Sequence, residues 1–82
     1  MLTGRQIAAA RALVGMTQAD LAGGANISVP TLKRMEGSNG VASGMTNNLA
    51  AVQTALEAAG VIFLDGAYTG DGGPGVRLRD RT

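Results

Sequence analysis

Polar caps and glycines recur so closely between Thr3 and Gly37 that this stretch can hold only short helices separated by tight turns. Thr3, with Gln6 three residues on, has the spacing of a reciprocal capping box, and Gly15 is a ready stop for the helix it opens. Thr17 and Asp20 repeat the device, and the acid also suits the positive end of a helix. Gly23-Gly24 follow Leu21-Ala22 almost at once, so the second helix should be short. A third opens at Ser28 or Val29, with Pro30 in its first turn, where an amide hydrogen would go unpaired in any case. Ile7, Ala10, Leu13 and Val14 on the first helix recur at helical intervals. They should face inward, as should Leu32 and Met35 on the third.

Beyond Gly37 the pattern changes. Gly37 to Gly44 reads as a loop of Gly, Ser, Asn and Ala. Thr46 is placed to cap a fourth helix whose apolar stripe is Leu49, Val52, Leu56 and Ala59, ended by Gly60. Val61-Ile62-Phe63-Leu64 is a short β-branched and aromatic run, and Val76-Arg77-Leu78-Arg79 alternates strictly. With the glycine-rich stretch 65–75 between them, these two runs predict a β-hairpin with a long tip. Gly70 to Gly75 is no phosphate loop, because it lacks the Gly-Lys-Ser/Thr ending and a following helix. Arg77, Arg79 and Arg81 share one side of such a strand, where a solvated face accounts for them as well as a phosphate clamp does.

The chain has 82 residues, enough for one domain that buries only about 60% of its unfolded surface. Residues 1–60 read as the binding domain and 61–82 as a hairpin extension within the same compact unit. There is no cysteine and no histidine, so disulfides, thiolate metal sites and imidazole chemistry are all excluded. The carboxylates are scattered and no nucleophile has a visible base partner, so neither an enzyme, a metal site nor a cofactor is expected. The chain carries no long apolar run and does not open on a charged-then-apolar signal pattern, which leads to the expectation of a cytoplasmic protein rather than a membrane one. Net charge is only +1, but it is unevenly spread. Arg5, Arg11, Lys33 and Arg34 outweigh Asp20 and Glu36 near one end, and Arg77, Arg79 and Arg81 outweigh Asp80 at the other. The middle carries Glu57, Asp65 and Asp71 with no base.

Two helices meeting at a steep angle need a small residue at the close approach, a residue that tolerates left-handed angles in the turn, and apolar anchors inside. Ala22, Asn26 and the set Leu21, Ile27, Leu32 and Met35 fill those places. With Thr17-Gln18-x-x-Leu21-Ala22 and Ile27-Ser28-x-x-Thr31-Leu32-x-Arg34-Met35-Glu36-Gly37, the chain resembles the Xre or Cro/C1-type family of phage and bacterial repressors. The resemblance covers roughly residues 3 to 60. Asn26 stands where relatives usually have glycine, and the loop after the third helix lacks the basic residues many of them carry.

What the resemblance implies is a mainly α, four-helix lambda-repressor-like helix-turn-helix domain with a C-terminal β-hairpin, binding double-stranded DNA in the major groove. Gln18 would donate to a phosphate. Val29, Pro30, Lys33 and Arg34 would face the groove, Arg34 on a guanine and the two apolar residues on a thymine methyl. Ser28 and Thr31 would serve as caps and phosphate donors, and Asn39, Asn47 and Asn48 would touch the backbone. Arg11 and Glu36 would form a buried pair between the first and third helices.

One recognition helix reads too few base pairs to find its site in a genome. Relatives dimerise on an inverted repeat, placing two helices about 34–36 Å apart. Val61, Ile62, Phe63 and Leu64 are apolar on both faces and are the expected homodimer interface. The functional expectation is a transcriptional repressor or autoregulator, with no small-molecule effector evident. The alternative is a protein-interaction module, antitoxin-like or antiactivator, that grips a partner through the hairpin.

Overall fold

A computed structural model describes residues 2–38, 46–64 and 75–79. They form helices α1 (Gly4–Val14), α2 (Gln18–Ala25), α3 (Val29–Glu36) and α4 (Thr46–Ala58), followed by strands β1 (Val61–Leu64) and β2 (Gly75–Leu78). The chain is mainly helical with a small antiparallel hairpin in which Val61 pairs with Leu78, Ile62 with Arg77, Phe63 with Val76 and Leu64 with Gly75. The hairpin tip, Asn39 and the rest of the loop before α4 lie outside the described residues, as does Arg81.

Local chemistry sets most of the helix ends. Thr3 and Gln6 make the reciprocal capping box of α1, and Gly15 closes that helix at φ 74°. Thr17 and Asp20 do the same at the start of α2. Ser28 is the N-cap of α3, so Val29 is its first residue. Two boundaries differ from expectation. Instead of stopping at Gly23-Gly24, α2 runs through both to Ala25, because Ala22 and Ala25 are buried behind them and reward another turn. Thr46 is the first residue of α4 rather than its cap.

Ile7, Ala10, Leu21, Ala22, Ala25, Leu32, Met35, Val52, Leu56 and Val61 form one core. Here α2 packs on α4 and α3, while α1 packs on α3, α4 and both strands. Leu13 departs from its stripe and is 44% exposed, since it sits round the helix from Val14 and looks away from the core. Ala59 also leaves its stripe: it is exposed in the turn after α4, and Gly60 takes φ 103° there. Among the described residues no helix is long and apolar enough to cross a membrane, and no cluster of three or more potential metal ligands occurs.

Gly23 is exposed, does not have a positive φ, and a Cβ there would meet nothing within 4 Å. Its cost is therefore only the backbone entropy of a helical glycine. Gly23→Ala is expected to raise stability by about 0.5–1 kcal/mol, seen as an upward shift in thermal melting.

Candidate nucleic-acid interface

The turn between α2 and α3 is built from backbone chemistry. Asn26 adopts left-handed angles, φ 58° and ψ 45°, and is the one non-glycine residue with positive φ among those described. That conformation lets the Asn26 N–H donate to the Gly23 carbonyl (3.3 Å) and the Ile27 N–H to that of Ala22 (3.0 Å), using up carbonyls the helix end would leave bare. The half-buried Ile27 then packs against the core and fixes the exit direction. One residue later the Ser28 hydroxyl accepts the Thr31 N–H at 3.2 Å and starts α3.

On α3 the buried side chains are Leu32 and Met35. Pro30, Lys33 and Arg34 lie on the opposite side and are exposed. They are spaced i, i+3 and i+4, so they are surface neighbours on one patch of helix. Neither cation has an ion-pair partner among the described residues. Val29 differs from its expected place: it is half-buried and packs against the core, leaving only part of its side chain outward. Ser28 is exposed and Thr31 half-buried, their hydroxyls bonded to each other at 2.7 Å. Asn47 is exposed and Asn48 half-buried at the start of α4, away from this patch in sequence.

Behind the patch lies a charged tie. Arg11 Nε and Nη2 donate to Glu36 Oε2 and Oε1 at 2.9 and 3.1 Å, a two-point grip. Arg11 Nη1 also donates to the Met16 carbonyl at 3.1 Å. The expected pair between α1 and α3 is therefore present, although Arg11 keeps 22% of its side chain exposed against 8% for Glu36. The hydrogen bond to Glu36 raises the Arg11 pKa further and outweighs partial desolvation.

Gln18 Nε2 donates to Glu36 Oε1 at 3.2 Å. A primary amide has two N–H donors, so one is committed to Glu36 and one is left for an outside acceptor. The sequence offered no sign of this bond, because only folding brings the start of α2 against the end of α3.

Asp20, also at the start of α2, accepts the Thr17 N–H at 3.1 Å. That bond, helped by the Thr17 hydroxyl, holds its carboxyl below the ordinary 3.8. A carboxyl depressed in the folded state stabilises fully above its unfolded pKa and loses that contribution as pH falls through the folded one. The melting gap between the wild type and Asp20→Ala should therefore hold steady from roughly pH 7 to 5 and close below about pH 4. A gap that widens in acid would contradict the cap geometry.

Of the four residues expected at a partner interface, two are used internally. Val61 is 2% exposed in the core and Phe63 packs against it. By the alternation of a strand, Ile62 and Leu64 are the half-buried residues on the other face. Arg77 is exposed on β2, whereas Arg79 lies beyond the strand and folds back onto α4, donating Nη2 to the Glu57 carbonyl at 3.1 Å.

Protein-family models yield no match to this chain. No curated protein matches it either.

Proposed function

We propose that this chain is a sequence-specific DNA-binding regulator, with α2 and α3 acting as a helix-turn-helix and α3 entering the major groove. The observation that carries the reading is the patch of Pro30, Lys33 and Arg34, outward on a short helix whose inner side is anchored by Leu32 and Met35. Two exposed cations, without an ion-pair partner among the described residues and beside an apolar ring, suit a groove that offers guanine acceptors and thymine methyls. The remaining Gln18 N–H, Ser28 and Asn47 are the candidate backbone contacts, which position the helix without reading sequence. In this reading the protein is a homodimeric repressor or autoregulator, joined through the outer hairpin face at Ile62 and Leu64, and acts by occupying an inverted-repeat operator.

The test is binding to the DNA upstream of its own gene at two salt concentrations. Affinity should fall steeply with salt, as phosphate counterions are released, while preference over random DNA persists. Arg34→Ala should cost about 1–3 kcal/mol on the preferred sequence and relax base choice there. Lys33→Ala should be read in the same assay. If neither substitution changes retention on DNA, the protein-interaction reading through the hairpin replaces this one.

A further inference from the structure

Gln18 and Glu36 stand 18 residues apart on different helices, yet Gln18 Nε2 donates to Glu36 Oε1 at 3.2 Å. Gln18 is the first residue of α2 and Glu36 the last of α3. The acceptor is itself held in place. Arg11 grips both oxygens of the carboxylate, Nε on Oε2 at 2.9 Å and Nη2 on Oε1 at 3.1 Å. Arg11 is fixed in turn by the Met16 carbonyl at 3.1 Å. Glu36 keeps only 8% of its side chain exposed, so water has little access to compete for those oxygens. The two Arg11 bonds already join α1 to α3. The bond to Gln18 is an addition that this tie does not require.

We propose that Glu36 is a positioning residue: it holds the Gln18 amide so that its second N–H is aimed at a DNA phosphate. The inference rests on the DNA-binding reading above. A primary amide is planar and carries two N–H donors, so fixing one on Oε1 restricts the direction of the other. Without an acceptor beneath it, a long side chain at the surface turns through its rotamers, and each contact it makes must stop that motion. Glu36 belongs to α3, the helix that carries Pro30, Lys33 and Arg34. The bond therefore references the phosphate donor on α2 to the base-reading patch on α3, and phosphate contacts are what set register on a duplex. A bare carboxylate would repel the phosphate it serves, and Arg11 offsets that charge through its two-point grip.

The experiment replaces the phosphates of the preferred DNA sequence one at a time by neutral methylphosphonate and measures affinity for each. In the wild type one position, recognised because Gln18→Ala no longer senses it, should cost about tenfold, as expected for a hydrogen bond to a charged group. Glu36→Met removes the acceptor but keeps an unbranched side chain. The cost at that position should then fall to about twofold, while the other phosphates read as in the wild type. Arg11→Met combined with Glu36→Met exchanges both charges for apolar groups, a change that paired charges often tolerate, and should read the same way. A folded variant that keeps the full tenfold at the Gln18 phosphate overturns the proposal. So does a uniform loss across all phosphates, which would assign Glu36 to folding alone. NMR relaxation of the Gln18 side-chain amide in the free wild type needs no variant to fold, and decides the matter if neither does. A held amide should have an order parameter above about 0.6, and a lower value overturns the proposal. A wild type that binds DNA with no Gln18-dependent phosphate also overturns it while leaving DNA binding intact. A wild type retained on no DNA removes the underlying reading, and this inference with it.

Discussion

Gly4→Ala is expected to lower stability by about 3 kcal/mol or more, at the upper end of overpacking effects because only backbone surrounds the site. For a domain of this size that is a fall in Tm of roughly 12–24 °C. A Cβ at Gly4 would lie 2.5 Å from the Met35 carbonyl oxygen, 2.7 Å from that of Glu36 and 2.9 Å from that of Ser38. All three are backbone atoms at the end of α3, so no side chain can swing aside. Relief requires α1 and α3 to separate, which strains the Arg11 to Glu36 tie and the packing of Ile7 and Met35. The same change at Gly23 is expected to stabilise, and the opposite signs of two Gly→Ala substitutions in one melting series make the comparison decisive. Equal effects at the two sites would mean that α1 and α3 do not meet as closely as described.

Removing either member of the charged tie should produce the second large effect, and an unequal one. Arg11→Ala leaves Glu36, the more buried partner, with only the Gln18 amide, and should cost about 3 kcal/mol. Glu36→Ala leaves an arginine that still holds the Met16 carbonyl and can turn toward water, so about 2 kcal/mol is expected. Both lie at or below the range for fully buried pairs because Arg11 is partly open to solvent. Denaturant melts of the two single variants and the double variant give the coupling directly, and it should be roughly 1–3 kcal/mol. Glu36→Ala should also free the Gln18 amide. In the proposed function that weakens binding to all DNA sequences alike, whereas Arg34→Ala weakens the preferred one.

The caps were legible in sequence because they are local. Thr3 with Gln6, Thr17 with Asp20, Ser28 with its threonine three residues later, and the left-handed stops at Gly15 and Asn26 each depend on a few consecutive residues. Strand alternation was equally readable, and it placed the hairpin. The extent of α2 was not readable, since the propensity of Gly23-Gly24 argues for a stop and only burial of Ala22 and Ala25 argues against one. The patch of Pro30, Lys33 and Arg34 followed from helical spacing, whereas the inward lean of Val29 depends on what packs beside it.

Local spacing alone thus determined where α1 and α2 begin, how α2 turns into α3, and that Pro30, Lys33 and Arg34 point outward. Those outcomes are settled by hydrogen bonds and periodicities within a turn or two of chain. Tertiary structure decided the rest: Gln6 reaching strands 58 and 69 residues away, Gln18 shared with Glu36, and a bare Gly4 beneath three carbonyls. A glutamine in a capping box looks the same whether or not its amide has a distant partner, and a glycine after a cap does not announce what will press against it. Such contacts depend on the relative placement of whole elements, which burial of the common core selects.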